Sequence, residues 1–262
     1  MILIVNAENT NICIGCALEG QGTILFEDHV SMDIKRTAAE YSIIFKQILE
    51  LNGITVDSVS GGIIASCVPP ATDTIKSAMK RLLNTDILEV GPGVRTGIDI
   101  RIDDPGELGA DLIVSAAAGI EHYGAPLVII DLNTLITFSV INKKSQFIGA
   151  IFEPGIRLSS EMIGKSAANL PETAARPSIK LIGTNSAESI KSGVFNGCAA
   201  SVDGLIDRIS EELGADDGLT AVITGEFAED IAKRCRHSLI VDMHLSMKGL
   251  INIYNKNAKR RS

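Results

Sequence analysis

The sequence predicts an α/β protein made of two like halves, and three observations carry that expectation. Short apolar runs of strand length alternate with longer stretches of helical spacing. The opening run Ile2-Leu3-Ile4-Val5, its polar turn from Asn6 to Asn11 and the β-rich Ile12, Ile14 and Ala17 have a counterpart later in the chain. There an apolar run over residues 126–130 leads into Asp131-Leu132-Asn133-Thr134 and then Ile136, Phe138 and Val140. Asn6 and Asp131 are 125 residues apart, near half of the 262-residue chain, which reads as an internal duplication of a βββαβα unit. The composition, 45% hydrophobic and 21% charged with no Trp and 4% aromatics, calls for a packed core of Ile, Leu, Val and Ala. The expected arrangement is two lobes, residues 1–124 and 125–262, around a central cleft, where ligand sites concentrate.

The elements follow in order. A turn at Gly20 and Gly22 precedes a third strand over residues 23–30. Ile43, Ile44, Ile48 and Leu51 set a helix over residues 36–52, stopped by Gly53. Residues 58–66 read as a strand, Pro69-Pro70 force a turn before a helix over residues 71–83, and residues 87–90 form a short strand. An Ala-rich helix occupies residues 109–123. In the second half, residues 146–152 read as a strand, 157–168 as a helix, 170–182 as an irregular connection with two prolines, and 186–213 as one long helix. A last buried strand at residues 221–224 turns at Gly225-Glu226 into a helix over 228–236. A terminal helix spans 247–254, and residues 256–260 form a solvated basic tail.

Several functions are disfavoured. A formal net charge of −8 argues against a nucleic-acid or anionic-membrane surface. No apolar run reaches the roughly 20 residues of a membrane-spanning helix, the start lacks a signal-peptide pattern, and five scattered cysteines fit a reducing cytoplasm. Cys13 and Cys16 form a Cys-x-x-Cys, but on a strand that spacing sends them to opposite faces, as small buried hydrophobes. His29, His122, His237 and His244 lack ligand-like spacing to one another or to carboxylates, so no metal cluster is expected of them. Gly164-Lys165-Ser166 imitates the end of a P-loop, but Ser159 stands at the required upstream glycine position. No G-x-G-x-x-G follows a strand.

Four elements remain that a duplicated fold would bring to one cleft: the tips at residues 6–11 and 131–134, the strand end Thr224-Gly225-Glu226, and the helix start Gly109-Ala110-Asp111. Threonines and backbone amides at such turns can cradle phosphate oxygens. A carboxylate at a helix N-terminus, as Asp111 would be, is held ionised by the helix dipole and can accept a proton.

With these elements the chain resembles type III pantothenate kinases, members of the actin-like ATPase (ribonuclease H-like) superfamily, over essentially its full length. Asn9-Thr10-Asn11, Gly91-Pro92-Gly93-Val94-Arg95-Thr96-Gly97, Asp104-Pro105, Gly109-Ala110-Asp111, Asp131 with Thr134 and Thr137, Pro154-Gly155-Ile156 and Ser192-Gly193 follow the family's order and spacing. The resemblance implies transfer of the ATP γ-phosphoryl group to the primary hydroxyl of pantothenate, with Mg²⁺ and a monovalent cation, K⁺ or NH₄⁺. It implies Asp111 as general base and Gly109, Ala110, Asp111 and Leu112 as pantothenate contacts. It implies Asn6, Asn9, Thr10, Asn11, Thr134, Thr224 and Gly225 as ATP contacts and Asp131 as the monovalent-cation ligand. Ser186 stands where the family has a pantothenate-binding threonine reaching across a dimer interface.

The chain also departs from that family's pattern. Asn6 replaces an acid that organises Mg²⁺, and Glu8 replaces a glycine of the phosphate loop. A carboxylate ~4 Å from a phosphate charge would repel it by about 4 kcal/mol at a surface-like dielectric. Asn133, Leu135 and Ile136 alter the second loop, Glu226 replaces the second glycine of Thr-Gly-Gly, Leu112 stands in place of an arginine, and Ile102 in place of a tyrosine. These departures predict weakened or partner-dependent catalysis in a homodimer. The alternative is a non-catalytic subunit of the same fold that pairs with a competent paralogous kinase.

Overall fold

Strand β1 (Ile2–Ala7) is buried at every position, because in the computed structural model it lies at the centre of a sheet covered on both faces. The structure describes residues 1–258 apart from Ala168, Ile179, Asp216 and Asp217. β1 pairs antiparallel with β2 (Asn11–Ala17) and parallel with β4 (Gly61–Ser66), within the order β3-β2-β1-β4-β5. β3 is Ile24–Ser31 and β5 is Ile87–Glu89.

The two-residue alternation of β1 divides the core. Leu3 and Val5 face helices α1 (Ala38–Leu51) and α2 (Pro69–Leu83), packing with Phe45, Leu49, Ile75 and Met79. Ile2 and Ile4 face the start of α3 (Ala110–Tyr123) and α7 (Leu245–Ala258) through Val114, Ala117, Leu250 and Ile253. Thr37 and Glu40 cap α1 reciprocally, and Pro69-Pro70 open α2. Cys16 joins the first core and Cys13 the second, on the opposite faces that their spacing predicts.

The second sheet has the order β11-β10-β7-β8-β9-β6. Its strands are β6 (Asp99–Ile100), β7 (Leu127–Leu132), β8 (Leu135–Ile141), β9 (Gln146–Pro154), β10 (Thr220–Gly225) and β11 (Ile240–Val241). From β9 to β11 it repeats the connectivity and strand directions of the first sheet, and β7 begins and ends 125 residues after β1. The internal duplication is therefore visible in topology and register. α4 (Ile156–Ser166), α5 (Ser186–Leu213) and α6 (Ala228–Ala232) bury one face of this sheet around Phe138, Phe195, Val202 and Ile223. Gly164-Lys165-Ser166 is the last turn of α4, so no phosphate loop forms there.

By internal contacts the chain divides into two units: Met1–Ile98, Asp103–Ala118 and His244–Ser262 in one, Asp99–Ile102 and Gly119–Met243 in the other. Among the described residues no helix is long and apolar enough to cross a membrane.

The differences from the sequence expectations are local. The strand expected over residues 58–66 starts only at Gly61, because a 3₁₀ turn occupies Val56–Ser58. The helix expected over 228–236 stops at Ala232, because the backbone N–H groups of Arg236 and His237 donate to the Asp203 carboxylate on α5. Ala168, the last residue of the expected 157–168 helix, and Ile179, inside the expected irregular connection, lie outside the described residues, as does the basic tail beyond Ala258.

Candidate active site

The first unit carries one group of the expected site residues. The tip between β1 and β2 is closed by the Glu8 N–H donating to the Asn11 carbonyl at 2.8 Å, which leaves Asn9, Thr10 and Asn11 exposed. Asn6 is buried beneath the tip, and its Nδ2 donates to Glu8 Oε1 at 3.0 Å. The two departures from the family pattern are thus bonded to each other. A carboxylate at residue 6 would face Glu8 as a like charge, whereas the amide holds it. Asn6 Oδ1 is buried with no hydrogen-bond donor.

Asp111 lies in the first turn of α3, half-buried, with Oδ1 so close to Gly109 that a β-carbon there would overlap it. A side chain at residue 109 would displace the carboxylate from this position. Burial raises the pKa of Asp111, and the backbone N–H groups of Leu112 and Asp111 offset this only in part. The helix-end stabilisation that the sequence suggests is present, but burial outweighs it. Cys67, just beyond β4, joins the group: its N–H donates to the Ala7 carbonyl, and its thiol is pushed up to about 11 by burial, then by the charges of Asp111 and Glu8. A thiol so raised is no nucleophile. The Leu112 side chain is buried, leaving its main chain as the part able to meet a ligand.

The second unit carries a parallel group. Thr224 and Gly225 end β10 beside Asp131 and Leu132 of β7. Gly225 adopts φ +89°, and a β-carbon there would stand 2.7 Å from both Asp131 Oδ1 and the Leu132 carbonyl oxygen. The absent side chain leaves a cradle lined by oxygen atoms. Thr134 sits exposed at the tip between β7 and β8, its carbonyl accepting from the Gly155 N–H at 3.1 Å. A β-carbon on Gly155 would overlap the Asn133 and Thr134 carbonyl oxygens, so that glycine lets α4 begin directly against the tip. Glu226 is gripped by Arg157 of α4 through Nε and a terminal guanidinium nitrogen, and the same guanidinium lies 5.6 Å from the Phe227 ring centroid. The sequence reading passes over Arg157, because 69 residues separate it from its partner.

Ser186 lies elsewhere, at the start of α5. Asn185 caps that helix by accepting from the Glu188 N–H, and Ser186 lines an open hollow of about 510 Å³ with Ile163, Leu170, Thr184 and Ile190. None of the other expected site residues lines this hollow.

The chain-spacing reading of the histidines does not hold in the fold. His29 and His244, dismissed on chain spacing, both reach Glu27, and Cys13, Glu27 and His29 bring three ligand-type atoms within 4.8 Å of one another. His237 likewise meets Asp207 at 2.7 Å. Separation along the chain says little across paired strands, where Cys13 and His29 are direct neighbours.

Solved structures share this architecture. The activator of 2-hydroxyisocaproyl-CoA dehydratase from Clostridium difficile covers 100% of this chain and 97% of its own, with a TM-score of 0.55 at 10% identity. At that identity the likeness shows the fold alone, that of actin-like ATPases and sugar kinases with two sheets. Sequence relatives go further. A protein from an Exiguobacterium species named type III pantothenate kinase is 36% identical over 99% of this chain and 100% of its own length. One of the same name from Bacillus cytotoxicus is 34% identical over 98% and 97%. With the family pattern itself matching over residues 2–208, the chain belongs to the type III pantothenate kinase family.

Proposed function

We propose that this chain transfers the γ-phosphoryl group of ATP to the primary hydroxyl of pantothenate, the entry step to coenzyme A, with Asp111 as general base. The observation that carries the reading is Asp111 itself. It sits in the first turn of α3 against Gly109, with its pKa raised by burial and its charge felt at Cys67 beside the first tip. A carboxylate raised toward the working pH is a better proton acceptor than an ordinary one.

The family is ATP-dependent, and bound ATP with Mg²⁺ supplies the transferable group and neutralises its charge. The residues present fit such a ligand. Asn6 Oδ1, buried without a donor, is an oxygen available to the Mg²⁺ shell. The exposed Asn9, Thr10 and Asn11 offer amide and hydroxyl donors to phosphate oxygens. On the second unit, Thr134, Thr224 and Gly225 contact ATP. The oxygen-lined cradle at Asp131 and Gly225 suits a hard monovalent cation, K⁺ or NH₄⁺.

Gly109, Ala110 and Leu112 hold pantothenate through their main chain while Asp111 takes the hydroxyl proton. Ser186 completes the pantothenate site of a partner subunit in a dimer. In support, Leu181 and Ile182, near Ser186 in sequence, are 73% and 79% exposed and apolar. The five free cysteines suit a cytoplasmic setting.

A coupled assay with ATP, Mg²⁺, K⁺ and pantothenate tests the reading. The chain alone is expected to form phosphopantothenate, and Asp111→Asn to lose it. A second reading rests on one observation, the Glu8 carboxylate standing within the phosphate tip. In that case the chain is a non-catalytic partner of a competent paralogue, and turnover appears only in the mixture.

A further inference from the structure

The outer edge of the first sheet carries a constellation that phosphoryl transfer does not use. Cys13 on β2 and His29 on β3 are direct cross-strand partners, and Glu27 lies two residues before His29, so the three side chains leave one face of the pair. The partner opposite Glu27 is Gly15. With no side chain there, α7 comes down onto the sheet: a β-carbon on Gly15 would lie 3.1 Å from Met247 Cε and 2.9 Å from the Phe26 carbonyl oxygen. That approach delivers His244, three residues ahead of Met247, to Glu27, where its Nδ1 is 2.5 Å from Oε2.

The other carboxylate oxygen, Oε1, is 3.1 Å from Cys13 Sγ and 3.7 Å from His29 Nε2. In a tetrahedral zinc site, with Zn–S near 2.3 Å and Zn–N or Zn–O near 2.0–2.1 Å, neighbouring ligand atoms stand about 3.3–3.5 Å apart. The two measured separations bracket that value. Cys13 is 4% exposed and the Glu27 side chain 11%, so thiol and carboxylate are fixed in place. The His29 side chain, 61% exposed, is free to rotate the remaining distance.

We propose that Cys13 Sγ, Glu27 Oε1 and His29 Nε2 form a zinc-binding site, with His244 holding the second oxygen of Glu27 and water in the fourth position. Thiolate, imidazole and carboxylate are the donor set of zinc, whereas Mg²⁺ and Ca²⁺ take oxygen ligands. One thiolate and one carboxylate balance the two charges of the ion. On binding, the Cys13 S–H bond is exchanged for a sulfur–zinc bond and the proton leaves to solvent. Once loaded, the site pins β2 to the edge strand β3 and, through His244, to the residue preceding α7.

The test is titration of the full-length, chelator-stripped protein with ZnCl₂ by calorimetry and with CoCl₂ by absorption. A single zinc equivalent is expected, with proton release seen as a buffer-dependent heat, and a cobalt complex showing thiolate charge-transfer and tetrahedral ligand-field bands. Cys13→Ser abolishes the thiolate band. His29→Ala, at an exposed position where folding is not at stake, weakens zinc binding at least about tenfold. His244→Ala, acting through Glu27, keeps the band and weakens binding about 10- to 100-fold. Excess MgCl₂ does not compete. Absence of stoichiometric zinc binding would overturn the proposal, as would zinc affinity unchanged in both Cys13→Ser and His29→Ala, or a cobalt complex without the thiolate band.

Discussion

Asn6 and Glu8 should behave as a unit, and their coupling can be measured. In the wild type the Asn6 amide donates to the Glu8 carboxylate at 3.0 Å beneath the tip. Asn6→Asp removes that charge-assisted bond, which is worth about 2 kcal/mol. It also sets two carboxylates against each other at a separation where an effective dielectric of 20 gives about 4 kcal/mol before relaxation. Glu8 is only half-buried and can turn toward water, so the net loss for Asn6→Asp should be on the order of 3 kcal/mol, or roughly 6–12 °C in Tm. Glu8→Gly loses the same bond and leaves the buried Asn6 amide unpaired, about 2 kcal/mol, but adds no charge repulsion, so it should cost less than Asn6→Asp. In Asn6→Asp/Glu8→Gly the opposing carboxylate is gone, so the double variant should be more stable than Asn6→Asp alone. Urea unfolding of the four proteins gives the coupling energy directly. Additive effects within about 0.5 kcal/mol would show that the two residues do not depend on each other and would refute the reasoning.

Other outcomes follow from the same geometry. Because the folded-state pKa of Asp111 is raised, its ionisation destabilises the fold: the cost is absent below the unfolded carboxylate pKa and complete above the folded one. Asp111→Asn should therefore raise Tm at neutral pH and leave it unchanged in acid. In the active enzyme, kcat/KM should fall with decreasing pH at a higher value than an ordinary aspartate would give. Gly225→Ala, which combines φ +89° with overlap onto Asp131 and Leu132, should cost about 3 kcal/mol in urea unfolding. Arg157 and Glu226 are 63% and 45% exposed at their side chains, so breaking the pair should change stability by under about 1 kcal/mol. Arg157→Ala should nevertheless raise KM for ATP, because it leaves the Glu226 charge uncompensated, whereas Glu226→Gly should lower it.

Much of the fold is legible in the sequence because burial writes itself into composition. β1 and β7 are central strands buried on both faces, so they read as unbroken apolar runs, and their equal spacing from the two tips exposes the duplication. α5 is bounded by an Asn cap and a left-handed Gly214, both visible as letters. β6 and β11, two residues each, offer too little periodicity to detect. The early end of α6 depends on Asp203, more than thirty positions upstream. Within the site, Glu8 lies two residues after Asn6, just past the end of β1, so their contact is local in the sequence. The Arg157–Glu226 pair and the Cys13–Glu27–His29–His244 cluster arise only when distant segments meet, and no local spacing announces them.

The central claim is tested most directly by following phosphopantothenate formation by the purified chain at millimolar ATP, for the wild type and for Asp111→Asn, with ATP binding measured in parallel. Product from the wild type alone, with a rate about 10²- to 10⁴-fold lower in Asp111→Asn and ATP affinity unchanged, is the predicted result. Equal rates from the two proteins, or no product from a wild type that binds ATP, would contradict it.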